Sequence, residues 1–90
     1  MRYRISYTNE AIRALKTLPG RYRQRARRLI EALGDEPRPA KAKELRGLPH
    51  RYRLRLNGWR IIYRVDEPDG MLIVLAIRQK SGPETYHELE

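Results

Sequence analysis

Hydrophobic and polar positions repeat with two different periods along this chain, and the period changes where the elements change. Residues 2–7 (RYRISY) set Tyr3, Ile5 and Tyr7 against Arg2, Arg4 and Ser6. Period two predicts a strand with one buried face, because successive side chains of a strand point to opposite sides. Ala11, Ile12, Leu15 and Leu18 then fall at helical spacing, behind Thr8 or Asn9. Either residue can cap a helix by accepting an orphan backbone N–H. Pro19-Gly20 breaks that helix. Tyr22, Ala26, Leu29, Ile30 and Leu33 form the apolar stripe of a second helix, which Gly34 is expected to terminate. The two helices read as a helical hairpin.

Residues 35–50 hold Pro37, Pro39, Gly47 and Pro49 and read as a packed connection, with one turn of structure near Ala42–Leu45. Beyond it everything is strand. Residues 51–56 (RYRLRL) alternate strictly, and Asn57-Gly58 is a strong two-residue hairpin signal, expected as a type I′ turn. Residues 59–66 (WRIIYRVD) form the return strand, and Glu67-Pro68-Asp69-Gly70 is a turn. Residues 71–77 (MLIVLAI) are apolar throughout, so that strand is expected to be covered on both faces. The expected fold is one α+β domain over residues 1–90. Its order is β-α-α-β-β-β, an antiparallel sheet with the N-terminal helical hairpin packed on one face.

A two-residue turn at Asn57-Gly58 fixes the pairing by arithmetic. Leu56 faces Trp59, Arg55 faces Arg60, Leu54 faces Ile61, Arg53 faces Ile62, Tyr52 faces Tyr63 and Arg51 faces Arg64. Directly paired residues share a side of the sheet. One side collects Tyr52, Leu54, Leu56, Trp59, Ile61, Tyr63 and Val65 and reads as core. The other collects Arg51, Arg53, Arg55, Arg60 and Arg64, with Ile62 among them and no acid.

Composition turns that pattern into a candidate site. The chain of 90 residues carries 20 Lys+Arg against 11 Asp+Glu, a net charge of +9, and 16 of the 20 are Arg. Like charges placed opposite one another destabilise a hairpin, and a merely soluble face would mix signs. Five guanidinium groups on one acid-free face instead read as an anion-binding sheet for phosphates. The cluster Arg21 to Arg28 lies mostly off the apolar stripe of its helix. It reads equally as a solvated face or as a surface that touches RNA or an acidic partner. With no Cys and only His50 and His87, no disulfide framework, thiol nucleophile, cofactor or metal site is expected. The longest apolar run is too short to span a membrane, and MRYRISY has no signal-peptide core, so a cytoplasmic protein is expected.

The string LRGLP (Leu45 to Pro49), then RYRLRL, then GWRIIYRV, then an apolar strand and a late Tyr, resembles the RelE/ParE superfamily of toxins from type II toxin–antitoxin pairs, RelE in particular. The resemblance covers nearly the whole chain. It implies a ribosome-dependent endoribonuclease that cuts messenger RNA in the ribosomal A site and so inhibits translation. The family's site positions match Arg53 and Arg55 on the first hairpin strand, Arg60 after the turn, Lys80 after the last strand, and Tyr86 near the end. It also implies a cognate antitoxin, acidic and helical where it covers the Arg face, the ribosome and its message as partners, and contact with operator DNA only through the antitoxin complex.

The cut itself needs the ribose 2′-OH deprotonated, the phosphorane charge stabilised and the 5′-oxygen neutralised. A dense cationic site supplies much of this without a metal. Arg55 and Arg60 are assigned to the scissile phosphate and Arg53 to orientation, with Arg51 and Arg64 as further RNA contacts. Arginine stays protonated and makes a poor base. That leaves Lys80, Tyr86 and His87 as titratable candidates, and Tyr86 could instead stack on a base. Three competing readings are a ParE-type inhibitor of DNA gyrase, a non-catalytic RNA-binding module, and a partner-bound or degenerate toxin with no activity.

Overall fold

The computed structural model describes residues 2–79. Strand β1 (Arg4–Tyr7) leads into helices α1 (Asn9–Thr17) and α2 (Gly20–Asp35). Four strands follow: β2 (Lys43–Glu44), β3 (Arg51–Leu56), β4 (Trp59–Asp66) and β5 (Met71–Gln79). They form one sheet in the order β1-β5-β4-β3-β2, with both helices on one face, α1 against β5 and α2 against β1 and β3. The α+β class and the helical layer are as the sequence predicts. Among the described residues no helix is long and apolar enough to cross a membrane.

The sheet is mixed rather than wholly antiparallel, because β1 pairs in parallel with β5 (Arg4 with Met71 to Tyr7 with Val74). The reason lies in where the helices return the chain. Gly34 near the end of α2 accepts from Tyr3 N–H at 2.8 Å, so the helices bring the chain back to the end where β1 starts. From there β3 leaves, β4 returns and β5 leaves again, in the direction of β1. The turn expected near Ala42–Leu45 is instead the short strand β2, with Lys43 opposite Arg53 and Glu44 opposite Tyr52. Gly34 lies inside α2 and does not terminate it. Its missing side chain makes room for Arg2, whose guanidinium carbon would lie 2.8 Å from a Cβ there.

Thr8 does cap α1, accepting from Ala11 N–H at 3.1 Å. Pro19 precedes α2 without any side-chain cap. The β3–β4 register matches the arithmetic pair for pair, from Leu56 opposite Trp59 to Arg51 opposite Arg64. The turn differs in detail. Asn57 has φ 52° but Gly58 is not left-handed, so only the first central residue has the positive φ that type I′ requires twice.

The core has two parts. The larger lies under the helices and unites Leu15, Ile30 and Leu33 with Leu54, Ile61, Tyr63, Leu72 and Val74, and Trp59 packs half-buried at its edge. The smaller lies on the other face, where Leu45 and Leu48 of the β2–β3 connection cover Ile62, Ile73, Leu75 and Ala76. Strand β5 is thus covered on both faces, as its unbroken apolar run predicts.

Candidate nucleic-acid interface

The second core reshapes the arginine face. Ile62 is fully buried and not a stray apolar residue among cations. The leucine-bearing loop sits over the middle of the face. Arg51 and Arg64, paired across the hairpin, lie toward one end of it; Arg55 and Arg60 lie toward the other, beside the Asn57-Gly58 turn. Four residues along a strand separate the two pairs by about 13 Å. The single continuous five-arginine surface expected from the alternation is therefore divided in two. Arg60 is also not an exposed side chain: it is only 3 % exposed, while Arg55 is exposed and Arg51, Arg53 and Arg64 are half-buried.

A bulge in β5 adds a residue that the arithmetic misses. From Tyr63 to Asp66, β4 pairs with β5 as the Glu67–Gly70 turn dictates, Asp66 with Met71 and Tyr63 with Val74. Between Ile62 and Tyr63 the register slips by one, so that Ile62 faces Ala76 and Arg60 faces Arg78. Leu75 is the extra residue, and the Thr8 hydroxyl donates to its carbonyl at 2.7 Å. An unbroken register would set Arg60 opposite Ile77 and turn Arg78 toward the core. The bulge instead brings Arg55, Arg60 and Arg78 into one row across three strands. Adjacent strands lie about 4.8 Å apart, so the row spans about 10 Å at the backbone.

Arg53 stands one rung inward of this row, opposite Lys43 on β2. Its Nε is buried and has no hydrogen-bond partner among the described residues. Arg78 Nε contacts Glu10 Oε2 of α1 at 3.2 Å, which places an acid at the outer end of the row. Arg64 meets Asp66 only loosely, at 3.8 Å. Cations opposed in this way destabilise the free sheet, and an anion laid across them relieves the repulsion. The chemistry of such a row is the gripping of phosphate and the stabilising of charge that builds on it.

The family model for the ParE toxin of the type II toxin–antitoxin system parDE matches residues 5–82. The chain belongs to the ParE toxin family. It lies within the RelE/ParE superfamily, and it is a toxin of a type II toxin–antitoxin system. It is 24 % identical to the mRNA interferase toxin RelE of Escherichia coli K12 over 90 residues, 98 % of this chain and 94 % of that protein. Its fold matches the archaeal RelE–RelB complex from Pyrococcus horikoshii OT3 with a TM-score of 0.81 and 27 % identity, over 92 % of this chain and all of that one. The RelBE2 toxin–antitoxin complex from Mycobacterium tuberculosis matches with a TM-score of 0.76 and 26 % identity, over 89 % and 100 %.

Of the toxin's expected site residues, the fold brings Arg53, Arg55 and Arg60 together and sets Arg51 and Arg64 apart. Lys80, Tyr86 and His87 lie outside the described residues. Sequence reasoning missed Arg78 and Lys43. Arg78 follows a run with no polar residue to mark its faces, so nothing in the pattern shows the bulge. Lys43 sits in a strand of two residues, too short to carry a period.

Proposed function

We propose that this toxin is an endoribonuclease that cuts messenger RNA in the ribosomal A site. The Arg55–Arg60–Arg78 row carries this reading. It is a compact cationic row, exposed at Arg55 and buried at Arg60, with Arg53 beside it, and Lys80 follows Gln79 in the sequence. In the proposed step the ribose 2′-oxygen attacks the adjacent phosphorus and the bond to the 5′-oxygen breaks. The products are a 2′,3′-cyclic phosphate and a 5′-hydroxyl. Arg55 and Arg60 hold the scissile phosphate and stabilise the charge of the phosphorane. Arg53 and Arg78 orient the strand, and Arg51 with Arg64 bind a phosphate further along it. Lys80 or Tyr86 moves the protons, since arginine does not titrate in the useful range. No metal or cofactor takes part in this scheme.

The RelB complexes among its structural relatives support a cognate antitoxin as partner. An acidic segment laid over the arginine row would silence it by occupying the phosphate positions. The family match to ParE favours one second reading, inhibition of DNA gyrase. Primer extension on translating ribosomes, beside a gyrase supercoiling assay, separates the two. Wild type is expected to cut within the A-site codon and to leave supercoiling unchanged. Arg55→Ala is the test variant, because Arg55 is exposed and its loss leaves the core intact. Equal cutting by both proteins would overturn the assignment.

A further inference from the structure

Past Val74, strand β5 loses β1 as its neighbour, and the start of α1 comes to lie beside it. The last rung of the parallel pairing is Tyr7 with Val74. Thr8 continues along the strand: its N–H donates to the Val74 carbonyl at 3.0 Å and its hydroxyl to the Leu75 carbonyl at 2.7 Å. Thr8 is also the cap of α1. One residue therefore fixes the start of the helix to the bulge that puts Arg78 in the arginine row. Two residues further on, Glu10 meets Arg78 itself, its Oε2 accepting from Nε at 3.2 Å.

The atom used sets this ion pair apart from the others. Arg2 engages both terminal nitrogens, Nη2 with Glu31 and Nη1 with Asp35. Arg38 engages Nε with Tyr52 and Nη2 with Glu67. Arg78 engages Nε alone, and its Nη1 and Nη2 have no partner among the described residues. A guanidinium grips a phosphate side-on, through Nε and one terminal nitrogen, or end-on, through both terminal nitrogens. Glu10 closes the first mode and leaves the second. The Arg78 side chain is 37 % exposed, so the open end is within reach of an anion.

Affinity does not account for this carboxylate. An acid at the end of a phosphate-gripping row repels the phosphate. A half-exposed ion pair also adds little to stability. What it supplies is direction, since a long arginine side chain otherwise samples many rotamers. We propose that Glu10 is a positioning residue for cleavage, holding the Arg78 guanidinium so that its two terminal nitrogens meet a message phosphate end-on. The inference rests on the nuclease reading of the arginine row. Glu10 acts through Arg78 alone and touches neither the RNA nor the reacting atoms.

A double-mutant cycle of Glu10→Ala and Arg78→Ala, read by cleavage on translating ribosomes, tests it. Arg78→Ala is expected to slow cleavage about tenfold. Glu10→Ala is expected to lower kcat roughly threefold to tenfold with KM unchanged or lower, because Arg78 loses its direction while a repelling charge leaves the row. In the Arg78→Ala background the Glu10 substitution should change nothing. Its melting temperature should fall by a few degrees at most, as for an exposed pair. A kcat that is unchanged, or reduced equally in both backgrounds, would overturn the inference and leave Glu10 serving the positive end of α1. Faster cleavage by Glu10→Ala would overturn it too, making the carboxylate only a brake on RNA binding. The NMR signal of the Arg78 Nε–H gives a readout that needs no cleavage: slow exchange with water in wild type and fast exchange in Glu10→Ala. Equally fast exchange in both would also sink the inference. If wild type leaves message uncut while that contrast in exchange holds, the nuclease reading falls and the aiming of Arg78 by Glu10 stands.

Discussion

Arginines do two different things in this protein: some are fastened to acids, and others are set opposite one another across the sheet. At the β4–β5 turn, Arg38 donates to Tyr52 Oη at 2.8 Å and to Glu67 at 3.0 Å. Glu67 in turn accepts from the Tyr3 hydroxyl at 2.6 Å. That cluster ties the start of β1, the connection after α2 and the β4–β5 turn together. Arg2 does the same for α2 through Glu31 and Asp35. In the Arg55–Arg60–Arg78 row, by contrast, the cations face one another across the ladder, and Glu10 pairs with Arg78 at its outer end. The clusters differ in what stands opposite each arginine: a carboxylate in the first two, another arginine in the row. Where the acid is built in, arginine fastens the chain. Where arginines are set against one another across the ladder, an anion laid over them relieves the repulsion.

The comparison breaks most sharply on Arg55→Ala against Arg38→Ala. Losing Arg55 is expected to lower cleavage on ribosomes by about 10²-fold or more, the scale of removing one donor to a developing anion. Its melting temperature should not fall, because a like-charge pair with Arg60 is removed. Arg38→Ala is expected to do the reverse, lowering the melting temperature with cleavage within a few-fold of wild type. If both variants lose activity and stability in parallel, the division is wrong. A smaller effect is expected at Ile62, which anchors the apolar patch between the two arginine pairs. Ile62→Ala should cost about 3 kcal/mol in urea unfolding, since it is fully buried and leaves a cavity under Leu45. A cost below about 1 kcal/mol would mean that the loop is not held by this second core.

How far the sequence reveals this arrangement depends on whether local pattern or long-range closure decides it. The hairpin register is legible because an Asn57-Gly58 turn and strict alternation in RYRLRL constrain each other. Both helices are legible from apolar spacing and from Thr8. The parallel pairing of β1 is not, because nothing within residues 2–7 specifies its neighbour. The burial of Ile62 is not, because Leu45 and Leu48 reach it from a loop without periodicity. Arg78 is hidden for a related reason. Its side of the sheet depends on a bulge at Leu75 whose carbonyl is satisfied by Thr8, 67 residues away in sequence. Half of the candidate site follows from counting outward from the turn, and the other half follows only from how distant segments close on it.

The smallest effect separates the two arginine clusters by pH. The Tyr3 hydroxyl and then the Arg38 guanidinium hold the Glu67 carboxyl below its ordinary value of 4.5, and His50 adds to the same shift. The Tyr3 hydroxyl is correspondingly raised by its bond to the carboxylate. A carboxyl whose pKa is lower in the folded chain than in the unfolded one stabilises the fold above the unfolded value. That stabilisation is lost as pH falls through the folded value. Wild type should therefore melt above Glu67→Gln at neutral pH, and the gap should narrow progressively below about pH 4.5 as Glu67 takes up a proton. Arg55→Ala, which removes one of two arginines opposed across the β3–β4 ladder, should shift the melting temperature by the same small amount over that range. A gap between wild type and Glu67→Gln that stays constant from pH 7 to pH 3 would show that Glu67 does not fasten the turn by charge, and the contrast between fastened and opposed arginines would lose its structural half.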